Sequence, residues 1–165
     1  MTERIRALFM KMFDFDRGQP ALIQHFTKVH DYAALIAGQE SMGAQEREVL
    51  EAAALVHDIA IPLCIQKYGS SAGPYQELEG PALVQEMLGA MDFEPAFIQR
   101  VCWIVAHHHT LTGIESLDHQ ILVEADFLVN AYEDALSQKA ILAFREKVFR
   151  TASGTAMLNA VYGLD

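Results

Sequence analysis

An all-α chain is expected from three features of the sequence. Apolar residues recur at three- and four-residue spacing almost throughout, as amphipathic helices require. Alternation of apolar and polar residues, the mark of a half-buried strand, is scarce. Only the segment QILVEADFLV is apolar enough to pass for a strand, and its length and flanks suit a buried helix better. Glycine and proline mark the breaks between the periodic stretches.

The elements follow in order. Ile5, Leu8, Phe9 and Met12 form a first stripe, and Leu22, Val29, Ala33 and Ile36 a second that includes His25. The break from Gly38 to Gly43 precedes a third stripe of Val49, Ala52, Ala53 and Val56. Pro62 is an early residue of a short fourth helix, so the chain turns just after His57-Asp58. GSSAGP, residues 69–74, is a loop, and a helix runs from about Tyr75 to Leu88. Asp92 is expected to cap the next helix, which has Pro95 in its first turn and ends at Thr112-Gly113. That helix carries Phe97, Val101, Ile104, Val105 and His108 on one face. Leu117 to about Ala135 forms another helix, Ser137 caps one running to Phe149, and a short helix follows Gly154. In VFRTASG, Arg150, Thr151 and Ser153 are read as capping that last helix.

The 165 residues, 52% hydrophobic and 21% charged, suit a single domain with one sizeable core. There is no internal repeat, linker or low-complexity stretch. No apolar run is long enough to span a bilayer, and no secretory signal is recognisable. Cys64 and Cys102 lie in apolar segments and read as reduced core residues of a cytoplasmic protein. With 12 Lys plus Arg against 22 Asp plus Glu, the net charge is −10, which disfavours polymeric nucleic acid and anionic membrane as partners. A small anion would need a local positive centre, and a bound metal ion supplies one. The apolar content permits a homodimer without requiring it.

The candidate chemistry lies on three apolar helices. His57-Asp58 ends an alanine-rich helix, LEAAALVHD, where a charged carboxylate needs compensation. Alone, the pair is ordinarily a helix-end histidine beside an aspartate bonded to an amide. Asp126, within ILVEADFLVNAY, sits in a helix apolar around most of its circumference; it suits a buried structural carboxylate as well as a metal ligand. His25 shares its stripe with Leu22, Val29 and Ala33 and should point inward, whereas His30 points elsewhere. Together, two imidazoles and two carboxylates suit one borderline divalent cation: iron, manganese, cobalt, nickel or zinc. Four protein ligands leave positions open on a six-coordinate ion.

The order His25…His57-Asp58…Asp126 resembles the HD superfamily of metal-dependent phosphohydrolases. In that family Val and Ala commonly follow the first His at +4 and +8, here Val29 and Ala33, which selects His25 over His30. The HD pair ends a small-residue helix, as AAALVHD does, and the last Asp sits in an Ala-Asp pair, as Ala125-Asp126 does. The resemblance covers roughly residues 20–135, with helices 137–162 completing a single domain over 1–165.

It implies a compact multi-helix HD-domain bundle whose metal ligands are His25, His57, Asp58 and Asp126. The ion would be Fe, Mn, Ni, Co, Zn or Mg, with one expected and room for a second. It implies a small phosphorylated substrate, a nucleotide among the options, and water activated with the help of Asp58. Histidines between the HD pair and the last Asp bind phosphate or a second metal in this family. Of His107, His108 and His109, His108 is the first choice by its helical face and His109 the second. One departure concerns the preceding helix, where two-metal members carry another His. Here the corresponding position is Glu79 or Gln76, which favours a mononuclear site. Lys67, Arg100, Lys147 and Arg150 are candidate phosphate clamps. Two other functions fit the resemblance: oxidation of a substrate by a two-iron centre, and non-catalytic binding of a nucleotide or partner by a metal-stabilised module.

Overall fold

The computed structural model describes residues 1–114 and 116–164. Among these are nine α-helices and no strand. They are α1 (Glu3–Phe15), α2 (Pro20–Gln39), α3 (Ala44–Val56), α4 (Ile61–Tyr68), α5 (Gly73–Gly89), α6 (Pro95–Val105), α7 (Leu117–Glu133), α8 (Gln138–Val148) and α9 (Ala152–Tyr162). No helix is long and apolar enough to cross a membrane among the described residues.

The centre of the bundle is α2 packed on both α3 and α7. Sequence explains the arrangement. The last two turns of α3 are mostly small (Ala52, Ala53 and Ala54 beside Leu55 and Val56), all buried, so neighbours approach from every side. On α7, Ile121, Leu122, Ala125 and Leu128 are buried within the same core cluster. Around this trio, α1 packs on α3, and α6 packs on both α3 and α5. The α5–α6 approach is close at Gly80, where a Cβ would lie 2.7 Å from Val105 Cγ1. Cys64 is buried, Cys102 half-buried, and both are free thiols.

Three boundaries differ from the sequence expectation. Asp92 does not cap α6: its φ of +56° places it in the left-handed turn after α5, and Glu94, with extended backbone, stands at the N-cap. Helix α6 stops at Val105 instead of reaching Thr112. Its own histidines end it. The His107 ring bonds to Trp103 O (2.7 Å) and the His108 ring to Val105 O (2.7 Å), so side chains take carbonyls that further helical turns would use. The amide of His109 donates instead to Glu77 Oε1 at 3.0 Å. Helix α9 starts at Ala152, before Gly154, because the Thr151 hydroxyl accepts from Gly154 N at 3.0 Å.

A buried knot ties α7 to this capped turn. Glu124, wholly buried, accepts from Gln120 Nε2 (2.7 Å), Arg150 N (2.7 Å), Thr151 N (3.0 Å) and the Thr151 hydroxyl. Gly154 packs directly on it, and a Cβ there would overlap the Glu124 carboxylate. Ser153 donates through both N and Oγ to Glu40 Oε1, linking α9 to the end of α2.

Candidate metal centre

The α2–α3–α7 packing brings side chains distant in sequence to one point. His25 projects from α2, His57 and Asp58 stand where α3 ends, and Asp126 projects from α7. His25 Nε2 lies 3.2 Å from His57 Nε2, 3.2 Å from Asp126 Oδ1 and 3.4 Å from Asp58 Oδ2. His57 Nε2 is 3.4 Å from Asp58 Oδ2 and 3.5 Å from Asp126 Oδ1.

The outer partners of the rings decide what faces inward. His57 Nδ1 is 2.9 Å from the Ala54 carbonyl, and His25 Nδ1 is 2.8 Å from Glu133 Oε2. Both partners only accept, so each Nδ1 carries the proton, and a neutral ring leaves its Nε2 lone pair bare. With neutral rings, two bare nitrogens and two carboxylates thus converge, and the one donor among the described residues is Asn130, which bonds Asp126 Oδ1. Acceptors packed this closely repel one another unless a cation sits among them. Holding one ring N–H on an acceptor is also how proteins orient imidazoles that bind metals. The donor set fits a divalent transition metal.

His108 extends the site. Its Nδ1 donates to the Val105 carbonyl, so its Nε2 is bare too. That nitrogen is buried without a hydrogen-bond partner among the described residues and lies 3.5 Å from Asp58 Oδ1. Asp58 therefore shows one oxygen to His25 and His57 and the other to His108. Two groupings of ligand atoms, each within 4.8 Å, share it: His25–His57–Asp58 and Asp58–His108–His109. His109 rests on Gly73, where a Cβ would come within 2.8 Å of its ring. Asp58, Asp126, His25 and His109 line an open cleft of about 350 Å³, reached past Ser71, Gln76 and Asn130.

Without a cation, protons do the compensating. Burial pushes the His25 pKa down, but Asp126, Asp58 and Glu133 outweigh this and raise it to about 9. Burial opposes charge on His57 as well, and the same two aspartates raise its pKa. Burial alone would raise the carboxylates; His25 and His57 hold Asp126 well below the usual range, and His57 and His108 hold Asp58 down to about 2. A metal must displace the imidazolium protons, so its uptake at neutral pH releases protons. Apparent affinity is expected to weaken by about tenfold or more per unit as pH falls below 8. Calorimetric titrations at pH 6 and 8, in buffers of different ionisation heat, measure both effects; affinity independent of pH would contradict this protonation scheme.

Comparison with known sequences agrees with this geometry. The family profile described as "HD domain" matches residues 22–144, most of the chain. The chain belongs to the HD domain family. Among solved structures, this HD domain is similar to a predicted HD superfamily hydrolase from an uncultured Thermotogales bacterium. The two share 26% identity and a TM-score of 0.66, over 96% of this chain and 83% of that one. No curated protein matches.

The other candidates in this HD domain lie outside the cage or are engaged elsewhere. His30 is buried against Glu51, with Nε2 3.2 Å from Oε2. Glu79 is held by Lys67 Nζ (2.6 Å) and the Tyr68 hydroxyl, so it is turned to a salt bridge. Arg100 grips Asp118 through two nitrogens, at 2.8 and 2.6 Å. The Arg150 guanidinium caps carbonyls at the end of α8. Lys147 lines a separate hollow with Arg150 and Gln120. None of these cations lines the metal-centre cleft. His107 stacks on Trp103, with ring centroids 4.4 Å apart.

Sequence reasoning missed three contributors, and it reads a fourth, Gln76, only as a position where relatives carry a histidine. Asn130 donates to Asp126 Oδ1 (2.9 Å), and Glu133 orients His25 while pairing with Lys28 (2.5 Å). Both follow Asp126 on one face of α7, at +4 and +7, so helical phase could have found them. Asp16, at the end of α1, is buried with Oδ1 unpartnered, and burial together with Asp58 raises its pKa to about 6. Gln76 is buried at the cleft wall. No local pattern announces these last two.

Proposed function

We propose that this chain is a metal-dependent phosphohydrolase acting on a small phosphorylated substrate. Its cation is held by His25, His57, Asp58 and Asp126. The observation that carries the reading is the convergence of two imidazole Nε2 atoms and two carboxylates at the floor of an open cleft, where protons or a cation must compensate the charge. Membership of the HD domain family and likeness to a predicted hydrolase support the same class. When bound, a divalent ion supplies Lewis-acid polarisation of a phosphoryl oxygen and makes water a nucleophile near neutral pH.

The chain's own groups have distinct tasks. Asp58, with one oxygen toward each grouping, orients the attacking water, whose proton leaves to solvent through the open cleft. His108 and His109, beside Asp58, meet the phosphoryl oxygens or protonate the leaving group. His108 Nε2, buried 3.5 Å from Asp58 Oδ1, can do this work when it carries a proton. Glu133 and Asn130 fix His25 and Asp126 in place.

A second reading has one observation in its favour. The grouping Asp58–His108–His109 would accommodate a second cation, and a two-iron centre could oxidise a substrate with oxygen. The test separates the two. The chain is purified without added metal, its metal content measured, and phosphomonoesters and nucleotides assayed with Mn, Fe, Co, Ni, Zn and Mg. Phosphate release that drops at least about a hundredfold in Asp58→Ala is expected. Oxygen consumption by the iron form without phosphate release would favour oxidation instead.

A further inference from the structure

Gln76 is a polar group that the metal site does not use. It is 5% exposed, lines the cleft with Asp58 and His109, and has an unpartnered buried Oε1. Its orientation is fixed by chemistry. The side-chain amide nitrogen donates to Ser71 O at 2.9 Å, and a carbonyl cannot accept from the amide oxygen, so Oε1 must face the other way. A buried acceptor with no protein donor is costly, and beside a ligand cleft a donor brought by a bound molecule would relieve that cost.

The rest of the wall has the same character. Asn130 commits its NH2 to Asp126, which leaves its oxygen free to accept. Asp134 stands exposed at the cleft edge. Glu133 is already occupied by His25 and Lys28. Among the described residues lining the cleft there is no Lys or Arg, and no phenyl, phenol or indole ring on which a base could stack. A polyphosphate chain would meet carboxylates with nothing but the metal centre to hold it.

We infer that the cleft selects a small phosphomonoester whose alcohol part is rich in hydrogen-bond donors, with Gln76 Oε1 receiving one of them. This rests on the phosphohydrolase reading and narrows its substrate. The phosphate lies at the metal centre, and the donor-bearing alcohol lies against Gln76, Asn130 and Asp134. A nucleoside triphosphate is the wrong charge and shape for such a wall. A nucleotide would have to place its base in the adjoining hollow of about 140 Å³ walled by Phe127 and Phe144.

Matched esters test it. Glycerol 1-phosphate and propyl phosphate have the same kind of leaving group and differ in hydroxyls; 2-aminoethyl phosphate replaces them with an ammonium. With the metal-loaded chain, kcat/KM for one of the donor-bearing esters is expected to exceed that for propyl phosphate by about tenfold or more. Calorimetric affinities should fall in the same order. Gln76→Met should shrink that ratio at least about fivefold. The wild-type comparison stands even if the variant folds poorly. Equal turnover of all three esters would overturn this inference and leave the phosphohydrolase standing. So would a preference for AMP or ATP over every small ester, or a ratio that Gln76→Met leaves intact in a folded variant. Failure to hydrolyse any phosphate ester would remove the phosphohydrolase reading, and this inference with it.

Discussion

Asp126→Asn is expected to lower kcat/KM on the order of a thousandfold and to abolish tight metal uptake. The amide has nearly the carboxylate's shape and can still accept from Asn130, which now bonds Asp126 Oδ1 at 2.9 Å. What is lost is charge. Asp126 lies 3.2 Å from His25 Nε2 and 3.5 Å from His57 Nε2. A divalent ion drawn to that point would face one carboxylate, Asp58, where it had two. An amide oxygen is also a weaker donor to borderline metals than a carboxylate. Metal analysis after dialysis, with steady-state kinetics, measures both losses. A variant that keeps full metal content and activity would show that the cation sits elsewhere.

The largest effect on stability is expected away from the site. Glu124→Ala should destabilise the chain by about 3–5 kcal/mol. The carboxylate is wholly buried and accepts from Gln120, the Arg150 and Thr151 amides and the Thr151 hydroxyl. Alanine would orphan those donors where water cannot easily replace the acceptor. The turn between α8 and α9 would then lose its anchor on α7. Urea unfolding followed by circular dichroism reads the change, which is a large share of a typical domain stability of about 5–15 kcal/mol. The metal ligands are spared by this substitution, since Glu124 and Asp126 face different sides of α7. A loss under about 1 kcal/mol would mean the turn is held by other contacts.

How far sequence reasoning reached follows from what each residue depends on. His25 shares an inward apolar stripe, His57 and Asp58 end an apolar helix and Asp126 lies within another, and the family resemblance joins the four into one ligand set. In the structure His25 and His57 lie within 3.5 Å of each other and of both aspartates, while Asp126 stands outside the His25–His57–Asp58 grouping. The sequence favours His108 because it continues the Val101–Ile104–Val105 face. It reaches the site by another route, from a turn that begins where its own ring takes the Val105 carbonyl. No pattern of apolar residues foretells that a histidine will end its own helix.

Nothing in the sequence marks Glu124, although it stands two residues before Asp126. Its partners are the amides of Arg150 and Thr151, far along the chain, and amides leave no trace in a sequence. In the sequence Gln76 reads only as a poor substitute for a histidine. Its significance comes from an amide oxygen left without a donor, which only the packing around Ser71 reveals. The candidate clamps failed for a related reason. Arg100 and Lys67 each have a carboxylate nearby, Asp118 and Glu79, and pairing turns them away from the cleft.

Calorimetric titration of Mn, Fe, Co, Ni and Zn into chelator-stripped chain is the measurement that bears on the central claim most directly. At least one of these ions should bind at one or two sites per chain with micromolar or tighter affinity, displacing protons as it enters, and His25→Ala together with His57→Ala should remove that binding while the helical content persists. Absence of saturable binding by every ion tested, or undiminished binding in the double variant, would contradict the account.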